Sequence, residues 1–580
     1  MGRFNILDEP WISVLVDKTG EKKDVSMLDF FQNASSFYSL AGEMETQNFA
    51  VMRFLLSVIH TVFSRFDFQG KKLPGIILDE RWVQTEDVDE EDLDEYNLAV
   101  SECWKQLYLS GFFPDILFDY LEKWRDRFYL FDEEHPFFQV NKKEMNDIMN
   151  KIPNKSQPTI IYGKNINRTI SESENKTALF SPVVNEKNDK RGKKDVLTAA
   201  ELTRWLLTFQ GYTGLADKVS LANKSQRSSK GWLFDLGAVF LKGNTVFETL
   251  LMNYMPESPK DNREFSGRIQ KPCWESSGKA VVNCLCIGNY IDNLAELYTN
   301  WSRAVYIDPE TDMSDHIVLN VVKLPEIEHT EKSSIEPMTM WRKNDNGPNK
   351  NSYTPKKHIA EESLWRNFGI ITMRRSADEE TKYLPPLIFN QYQRIKETKG
   401  NRMTDLIGVS MEDDGNATSW LPVDEIADSF RINDLVITDT DSEGWVIRIN
   451  AAVEKTKEVI SGVFKNYLRG ICEIRNMDLT SSNTASFISE ETGKMYSIID
   501  RFFKEWLATI KPNDSKETKI IEWYSQLREL VLNRGEELFE QSTFRDLKGV
   551  EKEKGMENIA TKYWKFVNMV NNIIGKGGKN

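Results

Sequence analysis

The segment that decides the fold lies near the carboxyl end and reads Ile498-Ile499-Asp500-Arg501-Phe502-Phe503-Lys504-Glu505-Trp506. Apolar side chains recur every four residues at Ile498, Phe502 and Trp506, and the series continues to Ile510 just beyond the segment. That period predicts an amphipathic helix with these four side chains on its buried face. Similar patterns predict four helices in all, over about 451–475, 486–510, 516–541 and 557–575. The connections between them are short and polar, which favours an antiparallel four-helix bundle.

The chain upstream of the bundle mixes strand and helix patterns. A hairpin is predicted over 11–25, and Ser26 and Thr198 are placed to cap helices. Helical spacing covers 46–66, and short strands alternate with turns up to about residue 450. We therefore predict an α+β protein. Its domains are a large mixed α/β domain over 1–450 and the antiparallel four-helix bundle over 451–580.

The net charge of −14 argues, taken alone, against binding a polyanion such as DNA. The distribution of charge changes that conclusion, because residues 79–95 hold ten carboxylates and one arginine in a predicted solvated loop. Residues 151–230 carry a net charge of +8, and residues 340–402 carry +6. Basic loops rich in Ser, Gly and Asn suit contacts with phosphates, although such loops are often only solvated.

No apolar stretch is long enough to span a membrane, and the first residues lack the pattern of a secretory signal. We therefore expect a soluble cytoplasmic protein. Its five cysteines are few and mostly far apart, which indicates free thiols in a reducing compartment. Cys284 and Cys286 alternate within 281–287 like the inward positions of a strand, which favours buried thiols over a zinc site.

The sequence lacks the common catalytic motifs: it has no P-loop, no HExxH, no G-x-S-x-G elbow and no glycine-rich dinucleotide turn. Asp315-His316 is the dipeptide of HD-type metal-dependent phosphohydrolases. With His329 or Asp439 it would make the chain a phosphohydrolase or nuclease. We predict that the chain is not an enzyme and holds no metal or cofactor. The metal-dependent hydrolase is the alternative, and a structural scaffold whose basic loops meet another subunit is a third possibility.

Several blocks occur in order along the chain: Leu7-Asp8-Glu9-Pro10-Trp11-Ile12, Phe128-Tyr129-Leu130, Glu134-His135-Pro136-Phe137-Phe138-Gln139, Phe247-Glu248-Thr249-Leu250-Leu251-Met252-Asn253, Leu297-Tyr298-Thr299-Asn300-Trp301-Ser302-Arg303 and Glu336-Pro337-Met338-Thr339-Met340-Trp341-Arg342. Together they resemble the CasA family, the large subunits of type I-E Cascade CRISPR surveillance complexes. The last block is the most specific, being similar to the family's EPMTxWR. The ordered set, with a helical bundle after it, covers the whole architecture.

The resemblance implies a binding subunit without catalysis of its own. Such subunits sit near the 5′ end of the guide RNA, beside the backbone and small subunits of the complex. They inspect double-stranded DNA for the protospacer-adjacent motif, start strand separation and help to recruit the CRISPR helicase-nuclease. The guide reads the target sequence by pairing, and the protein reads the short motif. No membrane partner is implied.

The resemblance also implies a glycine loop that approaches the DNA. It would follow the helix ending at Gln210 and cover about Gly211 to Lys218. Of the loop's glycines only Gly211 and Gly214 are present, and Asp217 stands where relatives can have Gly. An acid that faces phosphates is unfavourable, so either Asp217 points away or the preferred DNA motif differs.

Three further features are implied by the resemblance. A lysine that enters the minor groove precedes the EPMTxWR block, and Lys323 and Lys332 are both candidates. A polar wedge that parts the first base pairs matches Gly415 to Thr418, where relatives typically have Gln at the position of Asn416. Phe180 matches an aromatic residue of the loop that touches the guide RNA. The residues expected to contact DNA are Gly211, Gly214, Lys218, Lys323, Lys332, Asn416, Ala417 and Thr418.

Overall fold

The computed structural model of this chain describes residues 2–153, 157–162, 166, 197–215, 217–223, 226–256, 266–288, 291–313, 317–330, 332–372, 381–399, 402–416, 420, 422–552 and 555–575. The chain divides into two units. The first unit contains Met1–His358, Ser376–Thr398 and Ile407–Ala427. The second contains Ile359–Arg375, Lys399–Leu406 and Asp428–Asn580, so the predicted boundary near residue 450 lies within this last segment.

The strands are mostly short and belong to several small sheets. They are β1 (Arg3–Asn5), β2 (Ile12–Leu15), β3 (Lys22–Val25), β4 (Ser39–Leu40), β5 (Tyr129–Phe131), β6 (Thr159–Tyr162), β7 (Ala238–Lys242), β8 (Arg303–Ile307), β9 (Val318–Lys323), β10 (Trp341–Lys343), β11 (Tyr353–Pro355), β12 (Tyr383–Leu384), β13 (Met403–Asp413), β14 (Pro422–Asn433), β15 (Val550–Lys552) and β16 (Gly555–Glu557). The three-stranded sheets have the orders β3-β2-β4, β6-β9-β8, β11-β10-β12 and β14-β13-β7. Strands β1 and β5 form a pair, as do β15 and β16.

The helices are α1 (Met27–Gln32), α2 (Glu45–Phe63), α3 (Leu93–Ser110), α4 (Asp115–Lys123), α5 (Lys142–Asn150), α6 (Ala199–Tyr212), α7 (Val246–Asn253), α8 (Gly278–Ile287), α9 (Leu294–Tyr298), α10 (Phe368–Thr372), α11 (Gln391–Lys399), α12 (Asp434–Ile437), α13 (Trp445–Lys457), α14 (Lys465–Ile474), α15 (Ser482–Thr509), α16 (Lys516–Glu540), α17 (Phe544–Lys548) and α18 (Ile559–Ile574). This mixture of helices and sheets confirms the α+β class. Within the described ranges, no helix combines the length and the apolar character that crossing a bilayer requires.

Local sequence signals account for the elements that were predicted correctly. Strands β2 and β3 form the predicted antiparallel hairpin, with Ile12 opposite Val25. The Ser26 hydroxyl accepts a hydrogen bond from the backbone N–H of Asp29 and caps α1. Thr198 and Glu201 form a reciprocal capping box at the start of α6. These caps satisfy backbone N–H groups that have no partner within the helix.

The structure corrects three details of the sequence interpretation. Residues 278–287 form helix α8 rather than a strand, because Ser277 caps its start and Gly288 ends it in the left-handed conformation (φ +76°). Cys284 and Cys286 are accordingly half-buried on a helix rather than fully buried. Helix α6 continues past Gln210 to Tyr212, so Gly211 lies in its last turn. The acidic segment 79–95 is a loop only up to Asp92, after which α3 begins.

The second unit contains the four predicted helices. The first is continuous over α13, a π-helical segment (Glu458–Phe464) and α14, and the others are α15, α16 and α18. Helices α15 and α16 are antiparallel. Near the end of α15 the Trp506 indole donates to the carbonyl oxygen of Lys519 at the start of α16, and Glu491 in the first half of α15 pairs with Arg534 in the second half of α16. Helices α16 and α18 are antiparallel in the same way, since Phe539 stacks on Tyr563 and Arg528 donates to Asn571.

The buried face of α15 is rotated by one residue from the predicted face. Ile499 and Phe503 are fully buried, whereas Ile498 is 39% exposed and Phe502 is half-buried. Trp506 and Ile510 are buried as predicted. Each doublet, Ile498-Ile499 and Phe502-Phe503, offers two apolar residues at the same turn, and packing against α16 selects the second one. The Phe503 and Trp523 rings accordingly meet in a perpendicular, edge-to-face arrangement, with ring centroids 4.9 Å apart.

Candidate nucleic-acid interface

The predicted glycine loop packs closely against the segment that follows it. A Cβ atom at Gly231 would collide with the carbonyl oxygen of Gly211, and the Gly231 N–H donates to the carbonyl oxygen of Thr213 at 3.0 Å. A Cβ at Gly211 would lie 2.8 Å from the Leu233 side chain. The glycines at 211 and 231 therefore allow two backbones to approach each other, and this contact positions the start of the loop.

A buried ion pair between Arg303 and Asp217 anchors the rest of the loop to the protein interior. The Arg303 guanidinium, which is fully buried, pairs with the Asp217 carboxylate at 2.7 Å. It also donates to the carbonyl oxygens of Gly214 at 2.5 Å and Ser229 at 2.7 Å. Asp217 therefore points into the protein, with only 8% of its side chain exposed. Of the two possibilities that the sequence left open, the structure supports the one in which this acid faces away from the loop's outer surface.

Lys323 lies against the same loop. It ends strand β9, its backbone N–H donates to the carbonyl oxygen of Val219, and its ammonium donates to the carbonyl oxygen of Leu215 at 3.2 Å. Burial lowers the pKa of the half-buried Lys323 ammonium, and the nearby Asp217 carboxylate opposes that shift. Lys218, in the loop itself, is exposed. Two cations thus accompany the loop, one on its outer surface and one beside its backbone.

Lys332, the other candidate for the minor-groove lysine, lies in a different electrostatic environment. It belongs to the turn that precedes Glu336, and its backbone carbonyl accepts from the N–H groups of Ile335 and Glu336. Burial lowers the pKa of its ammonium, and the opposing negative charge is Asp292. The contacts of Lys323 with the loop favour Lys323 for the role that the sequence left open between the two lysines.

The first two residues of the predicted wedge, Gly415 and Asn416, follow β13 at the tip of the hairpin that it forms with β14. The Asp413 carboxylate accepts from the Gly415 N–H at 3.0 Å, and the Asp414 carboxylate accepts from the Asn416 N–H at 3.1 Å. Gly415 has a φ of +67°, and both Gly415 and Asn416 are exposed. The turn is therefore shaped by its own side chains. Ala417 and Thr418 lie outside the described residues, as do Phe180 and the basic run from Lys187 to Lys194.

Lys230 links the loop to the hairpin. It precedes Gly231, and its ammonium pairs with Asp235 at 2.5 Å. The same ammonium lies 4.9 Å from the Trp420 ring centroid and 5.3 Å from that of Phe234. Beside it, Lys357 pairs with Asp413 at 2.8 Å and lies 4.5 Å from the Phe234 ring. The glycine loop, Lys230 and the hairpin tip are therefore neighbours within the first unit. No local sequence pattern indicated the contact of Lys230 with Trp420.

The most specific sequence block is buried in the core beneath this site from Glu336 to Trp341, and only its last residue, Arg342, is exposed. Glu336 is fully buried and accepts two hydrogen bonds from Arg53 at 2.8 Å and one from the Trp232 indole at 2.7 Å. Burial alone would raise the pKa of the Glu336 carboxyl, but the Arg53 charge and these hydrogen bonds hold it below its ordinary value. Arg303, which anchors the glycine loop, ends another of the blocks. These blocks therefore support the loop from within.

Most of the possible metal ligands among the described residues are already held by other contacts. Ligand atoms of Asp235, Glu326 and His329 lie within 4.8 Å of one another. However, Asp235 is already paired with Lys230, and the His329 ring stacks on Trp232 and approaches its carbonyl oxygen at 2.8 Å. In the second unit, the Asp439 carboxylate accepts from the Trp445 N–H and pairs with Lys516. Asp315 and His316 lie outside the described residues.

Comparisons with known proteins identify the family of this chain. A family model described as CRISPR-associated protein Cse1 matches residues 5–533. The CRISPR-associated protein CasA/Cse1 of Thermus thermophilus is 26% identical over 385 residues, 64% of this chain, and the match spans only 61% of that relative's length. Thermobifida fusca Cse1 has the same fold, with a TM-score of 0.70 at 19% identity over 98% of both chains. A chain of a CRISPR RNA-guided surveillance complex gives a TM-score of 0.63 at 14% identity, covering 98% of this chain and 99% of that one. Because the family model matches well over half of its residues, this chain belongs to the Cse1 family of CRISPR-associated proteins.

Proposed function

We propose that this chain is the large subunit of an RNA-guided surveillance complex, where it reads a short motif in double-stranded DNA and starts strand separation. The main supporting observation is that three predicted elements lie together in one unit. Lys323 contacts the glycine loop, and Lys230, next to that loop, contacts Trp420 of the β13–β14 hairpin. The likeness to a chain of a CRISPR RNA-guided surveillance complex supports the same role. The guide RNA would read the target by pairing, and this subunit would read only the flanking motif.

The DNA contacts follow from the charges around the glycine loop. Lys218 and Lys323 would neutralise phosphates or enter the minor groove. Gly211, which packs against Gly231 and Leu233, and the buried Gly214 would set the shape of the loop that faces the duplex. Lys332 is the second candidate for the groove contact. The inward pairing of Asp217 with Arg303 supports this arrangement, because it removes a carboxylate that would otherwise repel the phosphates.

The hairpin tip would act as the wedge. Asn416 is exposed, and with Ala417 and Thr418 it would enter the duplex next to the motif. Such insertion requires about a few kcal/mol of unstacking for each base step, which the phosphate contacts must offset. Phe180 would lie near the guide RNA. The other partners would be the guide-containing backbone, the small subunits and the helicase-nuclease, and the subunit itself would perform no catalysis and bind no cofactor.

The test uses the assembled complex with a guide RNA and a motif-containing duplex. Asn416→Ala combined with Lys323→Ala should weaken motif-dependent binding while leaving assembly on the guide RNA unchanged. The matched control is Lys565→Ala, which removes an exposed lysine from α18 in the second unit and should leave binding unaltered. If the double variant binds the motif duplex as tightly as the unmodified complex, the proposal is wrong. Metal-dependent DNA cleavage by the isolated chain, lost on His316→Ala, would instead support the hydrolase.

A further inference from the structure

Trp420 combines an unusual backbone conformation with a position beside the hairpin tip. Its φ is +44°, in the left-handed region that bulky side chains rarely adopt. Its backbone N–H donates to the carbonyl oxygen of Asn416 at 2.8 Å, so the backbone at Trp420 is tied to that of the proposed wedge residue. The side chain is only half-buried, although an indole of this size is usually placed in a core.

Lys230 holds the Trp420 indole in place. Its ammonium lies 4.9 Å from the ring centroid, within the range of a cation–π contact. The Lys230 side chain is only 15% exposed and is neutralised by Asp235, so its charge is already used within the protein. A lysine held in this way is poorly suited to meet a phosphate. It is well suited to fix the plane of the aromatic ring above it.

We propose that Trp420 is a stacking platform for a nucleobase that leaves the duplex when the hairpin tip opens the first base pairs. This inference rests on the proposed function and names the chemistry that would follow wedge insertion. Every base has a π face, so an indole can receive any base at that position and recover part of the lost stacking. Lys230 would be a positioning residue that acts through Trp420, and its own charge would not contact DNA.

The test compares four variants in the assembled complex: Trp420→Leu, Trp420→Phe, Lys230→Met and the control Trp564→Leu. Trp564 is 62% exposed on α18 in the second unit, so its loss controls for removing a surface indole. The probe is a motif-containing duplex with 2-aminopurine at the first positions beside the motif, tested on each strand in turn. Unstacking from the duplex raises the fluorescence of this base, and stacking on an indole quenches it.

We expect Trp420→Leu to reduce the equilibrium extent of opening by about five- to 150-fold, the range for losing one base–aromatic stack. Any base that is opened should then fluoresce more brightly than with the unmodified complex. Trp420→Phe should retain most of the opening, Lys230→Met should reduce it by a smaller factor, and Trp564→Leu should change nothing. Initial binding to an unopened motif duplex should be the same for Trp420→Leu, Trp420→Phe and Trp564→Leu.

The outcomes separate this inference from the proposed function. If the unmodified complex binds the motif duplex but Trp420→Leu opens it with the same extent and quenching, the stacking platform is wrong and the proposed function stands. If Trp420→Leu only lowers assembly with the guide complex, Trp420 is a subunit contact and the inference is also wrong. If the unmodified complex shows no preference for the motif, the proposed function itself fails.

Discussion

The glycine loop and the β13–β14 hairpin tip are neighbours, but they are held by opposite means. The loop is anchored from within by Arg303, a fully buried cation that pairs with Asp217 and donates to the backbone carbonyls of Gly214 and Ser229. The hairpin tip is shaped by its own residues, because Asp413 and Asp414 accept hydrogen bonds from backbone N–H groups two positions later. Under the proposed function the loop would have to keep its shape against DNA, which suits the first arrangement, and the hairpin tip would have to enter a duplex, which suits the second.

Removing the buried anchor should have the largest effect. Arg303→Met leaves the Asp217 carboxylate buried without its partner, which is expected to lower the free energy of unfolding of the first unit by about 3–5 kcal/mol. Hydrogen exchange followed by mass spectrometry on peptides from 211–231 would measure the loss. Binding of motif DNA should fall with it, because the loop would no longer be held in one shape.

Two matched variants sharpen that result. Arg268→Met removes a partner from a surface ion pair with Asp87, whose side chains are 38% and 42% exposed, and should cost less than about 1 kcal/mol. The double variant Arg303→Met with Asp217→Leu should recover much of the lost stability, because it removes the orphaned charge. If Arg303→Met is no more destabilising than Arg268→Met, the buried pair does not anchor the loop.

A substitution in the turn should give a smaller and more local effect. Gly415→Ala places a Cβ in open space but at a φ of +67°, so it should destabilise the turn by about 1 kcal/mol through backbone strain alone. We expect duplex opening by the assembled complex to decrease while the thermal unfolding of the protein hardly changes. The 2-aminopurine duplex provides the measurement.

Gly20→Ala is the matched control for that strain. Gly20 lies in the turn between β2 and β3, has a φ of +97° and also has no atom within 4 Å of an added Cβ. It should show a similar change in stability with normal duplex opening. Equal opening by the Gly415 and Gly20 variants would contradict a functional role for the conformation of the hairpin tip.

Contacts between residues that are close in sequence could be predicted, whereas contacts between residues that are far apart in sequence could not. The caps by Ser26 and Thr198 depend on residues three positions apart, and both are confirmed. The buried pair of Asp217 and Arg303 joins residues 86 positions apart, so no local pattern indicated it. The sequence could therefore place the loop, but it could not show which way its acid points.

The errors also have physical reasons. Alternating cysteines in 281–287 favoured a strand, yet a serine cap and a terminal glycine were present on either side and produced a helix. The buried face of α15 was ambiguous because doublets of apolar residues fit two helical faces equally well. At 281–287 the pattern was compatible with a strand or a helix, and the flanking residues favoured the helix. In α15 the pattern was compatible with two buried faces, and the packing partner determined which one is buried.

The smallest effect should distinguish the two lysines and thereby show how far the anchored surface extends. Lys323→Met removes a half-buried cation whose pKa is lowered by burial, so protein stability should be unchanged or slightly raised. If its ammonium neutralises one phosphate, the slope of log K against log salt should become shallower by about 0.9.

Lys332→Met is the matched variant, because Lys332 is also half-buried with its pKa lowered by burial, but its opposing charge is Asp292. We expect its salt slope to equal that of the unmodified complex, measured by fluorescence anisotropy with the motif duplex. A changed slope for Lys332→Met with an unchanged one for Lys323→Met would move the groove contact away from the glycine loop to the turn before Glu336. A changed slope for both would mean that the anchored surface includes that turn.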